Sequence, residues 1–200
     1  MSDLTTTNRT HFNKVASTHH TDFGPLIETL IDEIKTRRLW ISASLTDKHD
    51  HPVRLLDYAC GAGTASKALL PFITQAVGLD LSENMVAEYN AWARGQGHPP
   101  ETMQAYHLDL LADRPAAGIE LSGFDVVVVC MALHHVADVG LLLGRLAGCL
   151  RPGGVCVVVD GVPSASTSAD GDTADADTAD LRAVLTGEQL GVLETVGKHG

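Results

Sequence analysis

The chain is poor in basic residues. Its 200 residues carry 14 Lys and Arg against 25 Asp and Glu, a formal net charge of −11 with histidine neutral. A surface of that sign repels phosphate backbones and argues against nonspecific nucleic-acid binding. The four cysteines, Cys60, Cys130, Cys149 and Cys156, form no CxxC pair. Each lies in or beside an apolar segment, the pattern of reduced thiols packed as small hydrophobes rather than of a disulfide framework or a metal site. Long hydrophobic runs are missing too. The longest, Val126 to Leu133, falls far short of the roughly 20 residues that span a bilayer. The polar start, MSDLTTTNRT, contains no apolar signal core. These absences set the expectation of a cytoplasmic protein with no membrane segment and no bound metal.

What is present is a hydrophobic fraction of 44%, enough for one domain with a core. The chain is organised around Val53 to Asp80, VRLLDYACGAGTASKALLPFITQAVGLD. An apolar run ends in Asp57, a turn carries Gly61 and Gly63, a helix-like segment follows, and a second apolar run ends in Asp80. This reads as strand, tight loop, helix, strand, with an acid at the carboxyl end of each strand. Ligands of open α/β sheets bind at those ends. Glycines let the backbone turn sharply and let a ligand lie against it. Asp80, about 20 residues beyond the loop, is placed to accept from both ribose hydroxyls of a nucleoside. A dinucleotide loop would put a third glycine at position 66, where Ser66 stands. Such a loop has no need of Asp57, whereas a ligand with a positively charged amino acid portion does.

This segment resembles motif I of the class I S-adenosylmethionine-dependent methyltransferases, with Asp57, Ala59, Gly61 and Gly63 on the acid-x-Gly-x-Gly-x-Gly pattern; Ala59 departs from its first glycine. The resemblance extends from Phe12 to Asp160 in five segments. It implies a Rossmann-like α/β fold, a doubly wound and mainly parallel sheet with helices on both faces. It implies S-adenosyl-L-methionine as cofactor, with Asp57 and the backbone from Ala59 and Cys60 through Gly61 to Gly63 at the methionine end. Asp80 would hold the ribose, and Leu81 and Met85 would pack on the adenosine. Asp109 would accept from the adenine amino group while the Leu110 N–H serves the ring. Residues after the fourth strand, Cys130 onwards, would flank the sulfonium. The sequence Leu133-His134-His135-Val136 follows there, and His135 or His134 is a candidate general base. Phe12 to Ala16 would help close over cofactor or substrate.

Elsewhere the reading is structural. Residues 1–10 are expected to be disordered and 11–162 to form the methyltransferase domain. Gly24-Pro25 starts a helix whose apolar positions run from Ile27 to Ile41. His19 and His20 read as surface histidines, since adjacent residues do not share a helix face. Ser82 is an N-cap. Met103 to Leu110 is a strand, and FDVVVVC at Phe124 to Cys130 is a strand buried on both faces. Asp138 starts an amphipathic helix, which Arg151-Pro152-Gly153-Gly154 turns into a strand from Val155 to Asp160.

Residues 163–180, acidic and without large apolar side chains, read as a disordered insert, and 181–200 as an incomplete C-terminal segment. Five strands are expected where the family has seven, so the C-terminal hairpin is expected to be missing. That leaves the fifth strand as an open edge, available for pairing with a second copy. The function expected is methyl transfer to a small-molecule acceptor. The alternatives are a noncatalytic, truncated cofactor-binding or interaction protein and an NAD(P)-binding oxidoreductase; Ser66, Asp57 and the lack of a Tyr-x-x-x-Lys pair weigh against the latter.

Overall fold

The computed structural model describes residues 3–48, 50–112 and 118–161. Its elements run α1 (Asp3–Asp22), α2 (Gly24–Thr36), α3 (Arg38–Ile41), β1 (Arg54–Tyr58), α4 (Thr64–Leu69), β2 (Gln75–Asp80), α5 (Glu83–Gly95), β3 (Met103–His107), β4 (Phe124–Cys130), α6 (Val139–Cys149) and β5 (Leu150–Val159). The strands form one sheet in the order β3-β2-β1-β4-β5. Every neighbouring pair is parallel. The order reverses between β1 and β4, so the carboxyl ends of those strands open onto a switch point.

Burial of the sheet on both faces explains the near-continuous apolar strands. In β4, Val126 and Val128 join one core layer and Val127 and Val129 the other. That is the period of two expected when successive side chains point to opposite faces. The first layer packs under α2, α4 and α5 with Leu55, Ala76, Met103 and Ala105. The second packs under α6 with Leu56, Val77, Leu79 and Phe124. Asp125, 3% exposed, ties the opposite end of the sheet together. Its Oδ2 accepts from the Arg54 N–H at 2.8 Å and its Oδ1 from Arg151 Nε.

Four expectations are corrected. The start of the chain is a helix from Asp3 rather than a disordered segment. Its order comes from side-chain bonds to distant residues. Asn13 Oδ1 accepts from Ser82 Oγ at 2.6 Å and from the Asn84 N–H at 3.1 Å, and Asn8 Nδ2 donates to the His135 carbonyl at 2.9 Å. The helix from Gly24 breaks at Arg37, and the apolar positions up to Ile41 continue in the separate α3. β3 ends at His107, because Asp109 caps a turn by accepting from the Leu111 N–H. β5 begins at Leu150, not Val155, and absorbs Pro152-Gly153-Gly154 as an irregularity in its pairing with β4. Gly154 permits this, since a Cβ there would lie 2.8 Å from the Phe124 carbonyl oxygen. The readings for 163–180 and 181–200 fall outside the described residues.

Gly78 in β2 is the tightest point beneath the loop. A Cβ there would meet Cys60 Sγ at 2.8 Å, Ala105 Cβ at 3.0 Å and the Tyr89 ring at 3.2 Å. Gly78→Ala is expected to lose about 1–3 kcal/mol by overpacking. Gly144, on the exposed side of α6 with nothing within 4 Å of a Cβ, gives the opposite sign. Gly144→Ala is expected to gain roughly 0.5–1 kcal/mol through helix propensity. Urea unfolding of the two variants beside the parent chain checks both signs.

Candidate functional site

The carboxyl ends of β1, β2 and β4 face a cavity of about 640 Å³, within the roughly 300–1,000 Å³ of small-molecule sites. The strand ends and their loops form one wall, and α1 with the start of α2 forms the other.

The loop after β1 is built from left-handed residues. Ala59, Gly61 and Gly63 have φ of 52°, 50° and 94°. The family's glycine position is therefore a left-handed one, and alanine adopts it here at a cost of roughly 1–2 kcal/mol. Met131, just after β4, has φ 53° and lines the same cavity. Strain of this kind at the ends of two adjacent strands is common in ligand sites. Gly63 is required twice over, since a Cβ there would lie 2.9 Å from the Tyr89 ring.

Asp80 holds the loop in place. Its Oδ2 accepts from the Gly61 N–H and its Oδ1 from the Ser82 N–H, both at 2.8 Å. One carboxylate thus joins the glycine loop to the N-cap of α5, where Ser82 Oγ accepts from the Met85 N–H at 3.1 Å. Asp57 is 1% exposed. Its Oδ2 accepts from the Ser66 N–H at 3.0 Å and from Ser66 Oγ at 2.7 Å, and the Tyr89 hydroxyl donates to Ser66 Oγ at 2.8 Å. Ser66 therefore has a positive role beyond being a missing glycine. Burial raises the Asp57 carboxyl to about 7 despite the Ser66 bonds. Burial also raises Asp80, which the Ser82 and Gly61 N–H groups partly offset.

The structure brings Asp57, Ala59, Cys60, Gly61, Asp80, Leu81, Met85, Cys130, His134 and His135 to the cavity wall. Gly63 shapes the loop from behind. Asp109 and Leu110 lie outside the wall, which includes Leu108 instead. The Asp109 carboxylate is engaged with its own turn, and the Leu110 carbonyl accepts from Arg145 Nη1. Cys60 and Cys130 thiols are both pushed up by burial, Cys130 to about 12, so each enters the wall as a neutral group.

Two residues, His19 on the wall and Asp160 bonded to a wall residue, escaped the sequence reading. His19 is not a surface residue: it lines the cavity, packs on Phe23 with ring centroids 5.0 Å apart, and has a buried Nδ1 without a partner. Burial lowers it, with Asp22 opposing. His20 is exposed as expected. Asp160, at the end of β5, was read only as a strand terminus. Its Oδ1 lies 2.6 Å from His134 Nδ1. Phe12 packs edge-on against His135 at 5.3 Å. Among the described residues no cluster of three or more His, Cys, Asp or Glu is arranged to hold a metal, and no helix is long and apolar enough to cross a membrane.

The raised Asp57 carboxyl makes stability depend on pH. Between about 4 and about 7 the unfolded chain gives up this proton while the folded chain keeps it. The contribution of Asp57 is present at the acidic end of that window and is lost as pH rises through it. Urea unfolding across the window is expected to show the stability of the parent chain falling with pH relative to Asp57→Asn, in which the opposing contributions of His135 and His19, both lowered by burial, remain.

The family model described as "Methyltransferase domain" matches residues 56–156, half of the chain. An uncharacterized methyltransferase of Schizosaccharomyces pombe is 29% identical over 84% of this chain and 68% of its own length. The ubiquinone biosynthesis O-methyltransferase of Bradyrhizobium sp. is 33% identical over 53% of this chain, which spans only 39% of that enzyme. Among solved structures, the DhpI–SAM–HEP complex superposes with a TM-score of 0.62 at 22% identity, covering 82% of this chain and 69% of the other. Magnesium protoporphyrin IX methyltransferase from Synechocystis, with bound SAM, gives 0.56 at 20% identity, covering 75% and 73%. With this match, the parallel five-stranded sheet and the glycine loop between Asp57 and Asp80, the chain belongs to the class I S-adenosylmethionine-dependent methyltransferases.

Proposed function

We propose that this chain methylates a small, largely apolar molecule, with the cofactor held on the strand-end wall and the acceptor on the α1–α2 wall. The observation that carries this is the division of the cavity. One wall presents Asp57, Asp80 and left-handed backbone; the other presents Phe12, Val15, Phe23, Leu26, Ile27 and Leu30, with the polar Asn8, Arg9, His11, His19 and Asp22 of α1 beside them.

The residues of the first wall suit S-adenosylmethionine. Asp57 is a buried acid at the cavity wall whose proton a nearby ammonium would displace. Gly61 leaves open space where a side chain would stand, with nothing within 4 Å of a Cβ. Asp80 is held rigidly enough to orient a ribose diol, and Leu81, Met85 and Leu108 offer apolar surface for a base. Asp109 and Leu110 would join through their loop, as the family resemblance implies. When bound, the sulfonium supplies an activated methyl group; the protein contributes by holding the acceptor in line and keeping water away. The apolar second wall favours a small hydrophobic acceptor over nucleic acid, in keeping with the net charge of −11.

Calorimetry with S-adenosylmethionine and S-adenosylhomocysteine, and with NADH as control, tests this reading. Micromolar binding of the first two and none of NADH is expected. Asp80→Asn keeps the shape of the side chain but loses the charge and turns one of its two accepting oxygens into a donor, and is expected to weaken binding at least about 10- to 100-fold, as loss of charged hydrogen bonds of ~1.5–3 kcal/mol implies. NADH binding alone would point to the oxidoreductase alternative. Tight cofactor binding with no turnover on any acceptor would point to a noncatalytic binding protein.

Cofactor binding should also expel a proton. Near neutral pH the free protein holds Asp57 partly protonated. An ammonium beside it favours the carboxylate. The calorimetric enthalpy is therefore expected to vary with the ionisation enthalpy of the buffer, and Asp57→Asn to remove that variation.

A further inference from the structure

Arginines are few in this chain, and most of the described ones are bonded. Arg37 pairs with Glu33, and Arg38 lies 3.7 Å from Asp47. Arg54 donates to Gln75 and to the Ser122 carbonyl, Arg145 to the Leu110 and Ala112 carbonyls, and Arg151 to Asp125. Among the described residues, the side chains of Arg9 and Arg94 alone of the arginines make no hydrogen bond or ion pair. Arg94 stands exposed on α5. Arg9 is half-buried on α1 and lines the cavity, the one Lys or Arg among the described residues to do so. A guanidinium keeps its charge and offers only donors, so its partner on an apolar wall has to be an acceptor brought by a ligand.

The acids near Arg9 are engaged elsewhere. Beyond burial and the Ser66 bonds, the charges acting on Asp57 are those of Asp80 and Lys67, not that of Arg9. Asp80 is committed to the Gly61 and Ser82 N–H groups. Arg9 acts instead on Glu83, in the first turn of α5, whose carboxyl is lowered chiefly by its Asn13 bond, with His107 and Arg9 adding to the fall. Glu83 spends its oxygens on those two neighbours: Oε2 accepts from Asn13 Nδ2 at 2.8 Å, and Oε1 lies 3.5 Å from His107 Nε2. Asp22 is 13 positions further along α1, about 20 Å at 1.5 Å per residue. His19, lowered by burial, adds no second cation to the wall at neutral pH. Phe12, three residues after Arg9, shares its helix face, and the apolar side chains of α2 continue from there.

Building on the methyl-transfer reading, we propose that Arg9 is a specificity-determining residue of the acceptor site, and that the acceptor is an amphipathic acid, with an apolar body on the α1–α2 wall and a carboxylate paired to Arg9. The planar fork of the guanidinium matches a carboxylate with two parallel hydrogen bonds. The carboxylate of the cofactor is a different one. It is attached to the carbon that bears the ammonium, which places it beside Asp57, where the charge of Arg9 is not among those acting. An apolar wall holds an apolar molecule without fixing its direction, and a single charged contact at one end supplies that direction. Arg9 is thus an anchor: it orients the acceptor so that the rest of the molecule reaches the methyl donor in line.

The test uses the full chain saturated with S-adenosylhomocysteine and two pairs of probes, each pair sharing one apolar body: 2-naphthoate with 2-naphthylmethanol, and decanoate with decanol. Calorimetry at neutral pH is expected to show at least one acid binding about tenfold or more tightly than its alcohol, the effect of one charge-assisted contact. Arg9→Gln is expected to abolish that preference while keeping the affinity for the alcohol and for S-adenosylhomocysteine. Arg94→Gln, which removes the same charge from an exposed site on α5, is expected to retain the preference. Neither acid favoured over its alcohol on the loaded parent chain, or a preference that persists in Arg9→Gln or disappears in Arg94→Gln, would overturn the proposal. So would loss of S-adenosylhomocysteine in Arg9→Gln, which would put Arg9 on the cofactor. Failure of the parent chain to take up S-adenosylhomocysteine would instead remove the methyl-transfer reading on which the proposal rests.

Discussion

The carboxylate of Asp80 is the joint on which the site depends. It lies at the end of β2 and accepts simultaneously from the loop after β1 and from the first turn before α5. The loop after β1, the end of β2 and the N-cap of α5 are thereby locked at one point. The lock works only because the packing beneath it leaves room. Gly78 lets Cys60 and Tyr89 close over β2, and Tyr89 in turn reaches Ser66 and through it Asp57. The two acids at the strand ends are thus parts of one buried framework. One fixes backbone position; the other is kept close to neutral by the loss of water around it.

A second framework comes from the other side of the sheet order. β4 ends in a left-handed Met131 and the histidine turn, and β5 delivers Asp160 to it. α1 then joins the two halves. Asn13 bonds to the start of α5, while Asn8 bonds to the histidine turn. A single helix therefore touches the start of α5 at one point and the histidine turn at another.

The strand–loop–helix–strand unit was legible because its signals are local: apolar runs of strand length, glycines where φ is positive, and acids at strand ends. β4 was legible because burial on both faces leaves a continuous β-branched run. α1 was not, since its residues show no apolar stripe and its order rests on polar bonds to partners far along the chain. His19 was misread for the same reason, as only the packing of α1 over the strand ends places it inside. The histidine pair was visible, but the contact of Asp160 with His134 was not, because the approach of Asp160 is set by the pairing of β5 with β4. Asp109 matched an adenine-binding acid by its place in the sequence; that its carboxylate also caps its own turn, by accepting from the Leu111 N–H, was not legible there.

The Asn8 bond to the His135 carbonyl spans 127 positions of the chain. Closing so large a loop is entropically expensive and is repaid only once both ends have structure to meet. The glycine loop and its two acids, by contrast, are drawn from a short central stretch. The central unit is therefore free to form from local contacts, whereas the bond from α1 to the histidine turn needs both ends in place. During synthesis α1 leaves the ribosome well before the histidine turn it bonds to, so a segment made ahead of the central unit is the one that completes the enclosure.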